Sequence, residues 1–214
     1  NPYRGCSHAC TYCLDPETLV MTAEGRHKRL GDVRVGEDLM GTRVDGAYRR
    51  YVPTTVRAVW PTRKAAYRIT LADGTEIIAS GDHRFLTERG WKHVTGTTSG
   101  AGRRPHLTTG NRLQGFGMGG VTAIRVTGGL PSRDRFFRIT SPAITRKLSI
   151  VGAAVKTATD LTVISIEDVG VRDLVDISTD TEDFIAAGVV SHNCFARNTH
   201  TYLDLDAGAD FDSQ

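Results

Sequence analysis

Short runs of β-branched and aromatic residues, each broken by glycine or a polar turn, recur along most of this 214-residue chain and leave little room for a helix. They occupy residues 18–22, 51–60, 67–71, 75–79, 121–127, 136–140, 161–169, 174–178 and 184–190. Asp73-Gly74 separates two of these runs as a hairpin turn, because glycine takes the positive φ that a tight turn demands. Helical spacing of apolar residues is confined to residues 29–40, where Gly31 and Gly36 hold it to a turn or two. Glycine is frequent, 23 of 214 residues, and aromatic residues are only 7%, a mixture that suits many strands and turns. The expectation is an all-β domain.

Charge and hydropathy exclude more than they assign. The chain carries 27 Lys and Arg against 24 Asp and Glu, a net charge of +3, too balanced for a dedicated binder of nucleic acid or membrane surfaces. No apolar run approaches the roughly 18 residues that cross a bilayer, and no signal-peptide core opens the chain; a soluble cytoplasmic protein is expected. Between Arg89 and Arg133 there is no carboxylate, and ten glycines fall between Gly96 and Gly129. Residues 97–130 therefore read as a flexible loop. Its basic residues lack the interleaved aromatics of a single-strand binding surface.

The four cysteines mark the two ends of the chain: Cys6, Cys10 and Cys13 near the start, and Cys194 some 180 residues later. That distribution does not describe a disulfide scaffold. Cys194 follows His192-Asn193, and an asparagine side-chain amide can attack its own backbone carbonyl and cut the chain behind itself. His192 is placed to donate a hydrogen bond to that carbonyl. At the other end, the Cys13 thiol can attack the Tyr12 carbonyl and turn the amide into a thioester. Ser80 and His83, three apart at the end of an expected strand, supply a hydroxyl and a proton carrier for that step: His83 is expected on the Cys13 amide, with Ser80 orienting the same peptide. Ser-x-x-His by itself is common, and it gains meaning only beside the two junctions.

Those junctions carry a family resemblance. Residues 13–193 resemble an intein, a protein-splicing element of the Hedgehog/intein (Hint) fold. The likeness rests on Cys13-Leu-Asp-Pro-Glu-Thr-Leu-Val20, Gly31-Asp-Val-Arg-Val-Gly-Glu-Asp38, the stretch from Asp73 through Ser80-Gly-Asp-His83 to Trp91, Leu174-Val-Asp-Ile-Ser178, and Phe184-Ile-Ala-Ala-Gly-Val-Val-Ser-His-Asn-Cys194. The resemblance implies a horseshoe-shaped all-β domain whose termini meet at one centre. It implies roles for Cys13, Ser80, His83, Asp176, His192, Asn193 and Cys194, with Asp176 as a proton shuttle. Two positions depart from the family pattern. Ser80 stands where threonine is usual, keeping the hydroxyl, and Glu182 or Asp183 stands where a histidine often does.

On this reading residues 1–12 and 194–214 are flanking extein pieces around a 181-residue mini-intein. The interior lacks the carboxylates and the length for a homing endonuclease. Splicing then needs no cofactor and no partner, turns over once, and takes place in a monomer. Removing residues 13–193 joins Tyr12 to Cys194 and brings Cys6, Cys10 and Cys194 into an x3, x2 spacing. This suits three thiolates on a [4Fe–4S] cluster. The joined sequence resembles radical S-adenosylmethionine enzymes, in the branch near spore photoproduct lyase, so the cluster and S-adenosylmethionine are implied for the host alone. In the precursor Cys13 completes the same spacing, and Cys10-x2-Cys13 can also close a disulfide, so a metal or redox trap is expected to be possible. Two other readings stay open at this point: a cysteine-rich metal or iron–sulfur module, and Hint autoprocessing without ligation.

Overall fold

The computed structural model describes residues 12–96, 104–118, 150–157 and 159–193. They form an antiparallel β structure in two sheets, with a single 3-10 turn at Leu30–Asp32 in place of the expected helical stretch. Ten strands follow in chain order: β1 Leu19–Met21, β2 His27–Arg29, β3 Asp38–Asp45, β4 Tyr48–Leu71, β5 Glu76–Ser80, β6 Arg84–Thr87, β7 Gly90–His93, β8 Val163–Thr179, β9 Asp183–Ala186 and β10 Val189–His192. One sheet has the order β2-β1-β9-β10-β6-β7; the other runs β3-β4-β5, with β8 also paired to β4. Among the described residues no helix is long and apolar enough to cross a membrane.

The runs at 51–60 and 67–71 belong to one 24-residue strand, β4, and those at 161–169 and 174–178 belong to one strand, β8. The separating residues read as breaks because they include Pro61 and Gly170. Pro61 is tolerated because, among the described residues, β4 here pairs with β8 on one side only, so its missing N–H is not needed by a second neighbour. Gly170 takes φ +76° within β8. Register shifts between Val56 and Ala58, Ala65 and Tyr67, and Thr70 and Leu71 bend β4 along its length. The Asp73-Gly74 turn forms as expected, with Gly74 at φ +86° and the Asp73 side chain accepting from the Thr75 N–H at 2.9 Å. The runs at 121–127 and 136–140 lie outside the described residues.

The first and last described segments meet inside the first sheet. Val20 of β1 pairs with Ala186 of β9, and Ser191 of β10 pairs with Phe85 of β6. A single apolar cluster accordingly includes Leu14 and Val20 from one end, Ile69 and Phe85 from the middle, and Phe184 and Val189 from the other end. The hairpin between β9 and β10 turns through Ala187 and Gly188, at φ +47° and +73°.

The expectation of one flexible loop over 97–130 fails for residues 104–118. Leu107 and Leu113 are buried in the main core. Leu113 donates to Leu161, Val190 donates to Gln114, and both Phe116 and Gly117 donate to Gly188 through backbone bonds of 2.8–3.0 Å. Glycine is required here for close approach: a Cβ on Gly115 would lie 2.1 Å from the Gly188 oxygen, and one on Gly188 would lie 2.3 Å from the Gly117 oxygen. These glycines, which read as flexibility in the sequence, let two backbones touch.

Candidate functional site

Residues 13–15 slot between β5 and β8. Leu14 bridges Ala79 on one side and Val175 on the other. Its N–H donates to Val175 at 3.0 Å, while the Ser80 and Asp15 N–H groups donate to Cys13 and Ile78 at 2.8 and 2.9 Å. Continued antiparallel register sets Cys13 opposite Ser80 on one side and Asp176 on the other. Cys13, Ser80 and Asp176 are all fully or almost fully buried. Three residues that are far apart in sequence thus meet because one short extended segment has two neighbours.

The Cys13 N–H donates to Ser80 Oγ at 3.2 Å. His83 does not take that amide, contrary to expectation. Its Nε2 lies 2.6 Å from Ser191 Oγ. The pairing follows from topology, since β10 lies against β6 and brings Ser191 beside the turn that leads into it. Burial pushes the His83 ring down to about 3, opposed by the Tyr12 backbone, which favours the protonated ring. His83 is therefore neutral at neutral pH.

At the other junction, His192 Nδ1 lies 2.6 Å from the Asn193 carbonyl oxygen, the carbonyl of the peptide bond to Cys194. Its Nε2 lies 2.9 Å from the Arg84 guanidinium. Burial, then the Arg84 charge, lower the His192 ring to about 4. Asn193 is fully buried. In the amide orientation that satisfies both ends, its Nδ2 donates to the Glu182 carbonyl at 3.2 Å and its Oδ1 accepts from the Thr179 N–H at 3.1 Å. The Asn193 backbone N–H donates to the same Glu182 carbonyl at 3.0 Å. Glu182 presents that carbonyl from a left-handed backbone, φ +60°, a conformation costly for a residue with a Cβ.

At the two positions where histidine was considered, then, Glu182 works through its backbone and Asp183 through a buried carboxylate. Asp183 accepts from the Thr42 N–H at 2.6 Å, from the Thr42 hydroxyl, and from Arg49 at 2.8 Å. Burial raises its carboxyl above the ordinary range, against the pull of Thr42 and Arg49.

The two junctions share one space. The Tyr12 ring lies 5.0 Å from the His192 ring and 6.4 Å from both His83 and His93, with the Arg84 guanidinium 4.8 Å over its face. Sequence reasoning did not single out Arg84, Ser191, Thr179 or the Glu182 carbonyl. Arg84 adjoins His83 and carried the one available signal; the others act through sheet pairing or backbone. Cys6, Cys10 and Cys194 lie outside the described residues, and Cys13 packs against Ala66 and Leu174. Among the described residues no three His, Cys, Asp or Glu side chains are grouped to hold a metal ion.

No protein-family model matches the chain. The replicative DNA helicase DnaB of Rhodothermus marinus is 32% identical over 83 residues, which make up 38% of this chain and 9% of that protein. The chain spans less than a tenth of that relative. Solved structures match far more of it. A DnaB intein from Synechocystis sp. PCC 6803 has a TM-score of 0.55 at 17% identity, covering 86% of this chain and 99% of that one. An Ssp DnaB mini-intein variant has a TM-score of 0.57 at 18% identity, covering 87% and 96%. With its antiparallel strands and its first and last described strands drawn into one sheet, the chain has the all-β Hint fold found in these inteins.

Proposed function

We propose that this chain is a cysteine-type intein precursor that excises residues 13–193 and joins Tyr12 to Cys194. The observation that carries the reading is the meeting of the junctions: Tyr12 from one end packs on His192 from the other, and His192 reaches the Asn193 carbonyl. A binding module has no need to bring two peptide bonds, one after Tyr12 and one after Asn193, into a common buried space.

The chemistry follows from protonation states. The Cys13 sulfur adds to the Tyr12 carbonyl carbon, and the Cys13 nitrogen leaves with a proton. A neutral His83 must take a proton from the thiol before it can give one to that nitrogen. Once charged, a ring held near 3 is a strong donor. The Ser80 hydroxyl on the Cys13 N–H orients the leaving nitrogen. The acyl group then passes to the Cys194 sulfur, releasing the Cys13 thiol, with Asp176 as proton carrier between the sulfurs. Next the Asn193 Nδ2 leaves the Glu182 carbonyl and attacks the Asn193 backbone carbonyl carbon, giving up one proton, which the departing Cys194 nitrogen takes up. His192 stabilises the developing oxyanion, and the Cys194 amine departs. That amine takes the acyl group from its own sulfur, and the amide bond forms.

On this proposal no cofactor or partner is required, and the reaction is intramolecular in a monomer, single-turnover and cytoplasmic. The joined host would carry Cys6, Cys10 and Cys194, three thiolates that suit three irons of a [4Fe–4S] cluster, which together with S-adenosylmethionine would supply radical chemistry. The test is mass spectrometry of the freshly purified chain and of Asn193→Ala. The parent is expected to yield excised 13–193 and a joined flank peptide, and Asn193→Ala a branched thioester cleaved by hydroxylamine. Released flanks with no joined peptide would indicate autoprocessing alone, and a fully ligated product from Asn193→Ala would refute the mechanism.

A further inference from the structure

Arg84 opens β6 opposite His93 of β7 and contacts residues from both ends of the chain. One guanidinium nitrogen lies 2.9 Å from His192 Nε2. A guanidinium only donates, so Nε2 must accept, and the single proton of a neutral ring must sit on Nδ1. Nδ1 is the atom 2.6 Å from the Asn193 carbonyl oxygen. The same guanidinium lies 4.8 Å above the Tyr12 ring, within range for a cation–π contact. Resting on the splicing reading, we infer that Arg84 is a positioning residue for both junctions: it fixes His192 in the tautomer that reaches the Asn193 carbonyl and seats Tyr12 against the same ring.

The other groups facing His192 do not do this. The Trp91 ring meets it edge-on at 4.9 Å, and His83, His93 and Arg49 act on it through charge. Asp183, across the β9–β10 pair, is engaged by Arg49 and Thr42. With a ring held near 4, protonation does not supply the Nδ1 proton at neutral pH, so the tautomer decides. Without Arg84 the neutral ring divides between two tautomers, and only acid restores the donor to all molecules.

The experiment follows release after Asn193 in the full chain carrying Cys13→Ala, by mass spectrometry between pH 5.5 and 8.5, with and without Arg84→Leu or Arg84→Lys. Arg84→Leu is expected to slow release about tenfold at pH 7.5, part of the 10²–10³ that a whole oxyanion donor supplies. The Arg84 charge is the second of the effects that hold the His192 ring down, so its removal lets the ring protonate at higher pH than in the parent. The rate should then climb toward pH 5.5 where the parent's does not, and Arg84→Lys should recover much of the loss. A pH profile for Arg84→Leu that runs parallel to the parent's, at whatever height, overturns the tautomer role. So does ¹⁵N NMR of the Asn193→Ala chain if it places the His192 proton on Nε2, a readout that needs no variant at 84.

On the N-terminal side, Tyr12→Leu and Arg84→Leu should each slow thiol-induced cleavage after Tyr12 by about two- to thirtyfold. The double variant should be no slower than the slower single; fully multiplicative effects overturn the seating of Tyr12. A Cys13→Ala parent that releases nothing at any pH overturns the splicing reading itself, and the role of Arg84 in it, a result distinct from an unchanged profile.

Discussion

Acid should destabilise this fold through its buried histidines, and His27 offers the cleanest handle because it lies outside the splice junctions. It sits on β2, 7% exposed, with Nε2 buried and without a hydrogen bond, 6.4 Å from the Phe116 ring. Burial lowers it from the ordinary 6.5 to about 4. Between those values the unfolded chain holds a proton there that the folded chain does not. Stability is therefore present in full above pH 6.5 and falls as pH drops toward 4. Going from pH 7 to pH 5, this single ring should cost about 2 kcal/mol. His83 and His192 act with the same sign. Replacing His27 by leucine removes one titrating ring and one unpaired buried nitrogen, so stability at pH 7 should hold or rise. The assay is urea unfolding at pH 7 and pH 5 of chains held unspliced by Cys13→Ala and Asn193→Ala. The loss between the two pH values should shrink by about 2 kcal/mol in His27→Leu. Equal losses with and without His27 would refute the linkage.

Leu113→Ala should cost roughly 2–5 kcal/mol, because residues 104–118 are part of the core, and thermal melts would show it; a change within 0.5 kcal/mol would restore the view of that segment as a dispensable loop. Ser80→Ala removes the hydroxyl that accepts from the buried Cys13 N–H and should slow thiol-induced N-terminal cleavage about tenfold, with Ser80→Thr close to the parent; equal rates for Ala and Ser would remove Ser80 from the site. Cys10→Ser should shorten the lifetime of the unspliced chain under oxidising conditions and leave it unchanged under reductant, as followed by mass spectrometry; identical lifetimes would exclude a Cys10–Cys13 trap.

Much of this protein was legible from local pattern. The β class, the Asp73-Gly74 hairpin and the His192-Asn193 pair depend on neighbours in sequence, and composition and spacing report such things directly. His192 and Asn193 meet at a single carbonyl because they are consecutive.

What only the tertiary structure decided is everything that depends on which strands lie side by side. Pairing β10 with β6 placed Ser191 on His83 and Arg84 on His192, moving His83 off the amide that sequence spacing assigned to it. The glycines at 115 and 117 read as looseness because a sequence records a missing side chain and not what fills its place; here Gly188 backbone lies against Gly115, and the Asp73, Thr159 and Leu161 side chains lie against Gly117. Pro61 read as a break because its lost donor matters only if a neighbour needs it, and among the described residues no strand pairs on that side of β4. Long-range pairing sets these outcomes, since a backbone hydrogen bond carries no mark of its partner until the chain has folded.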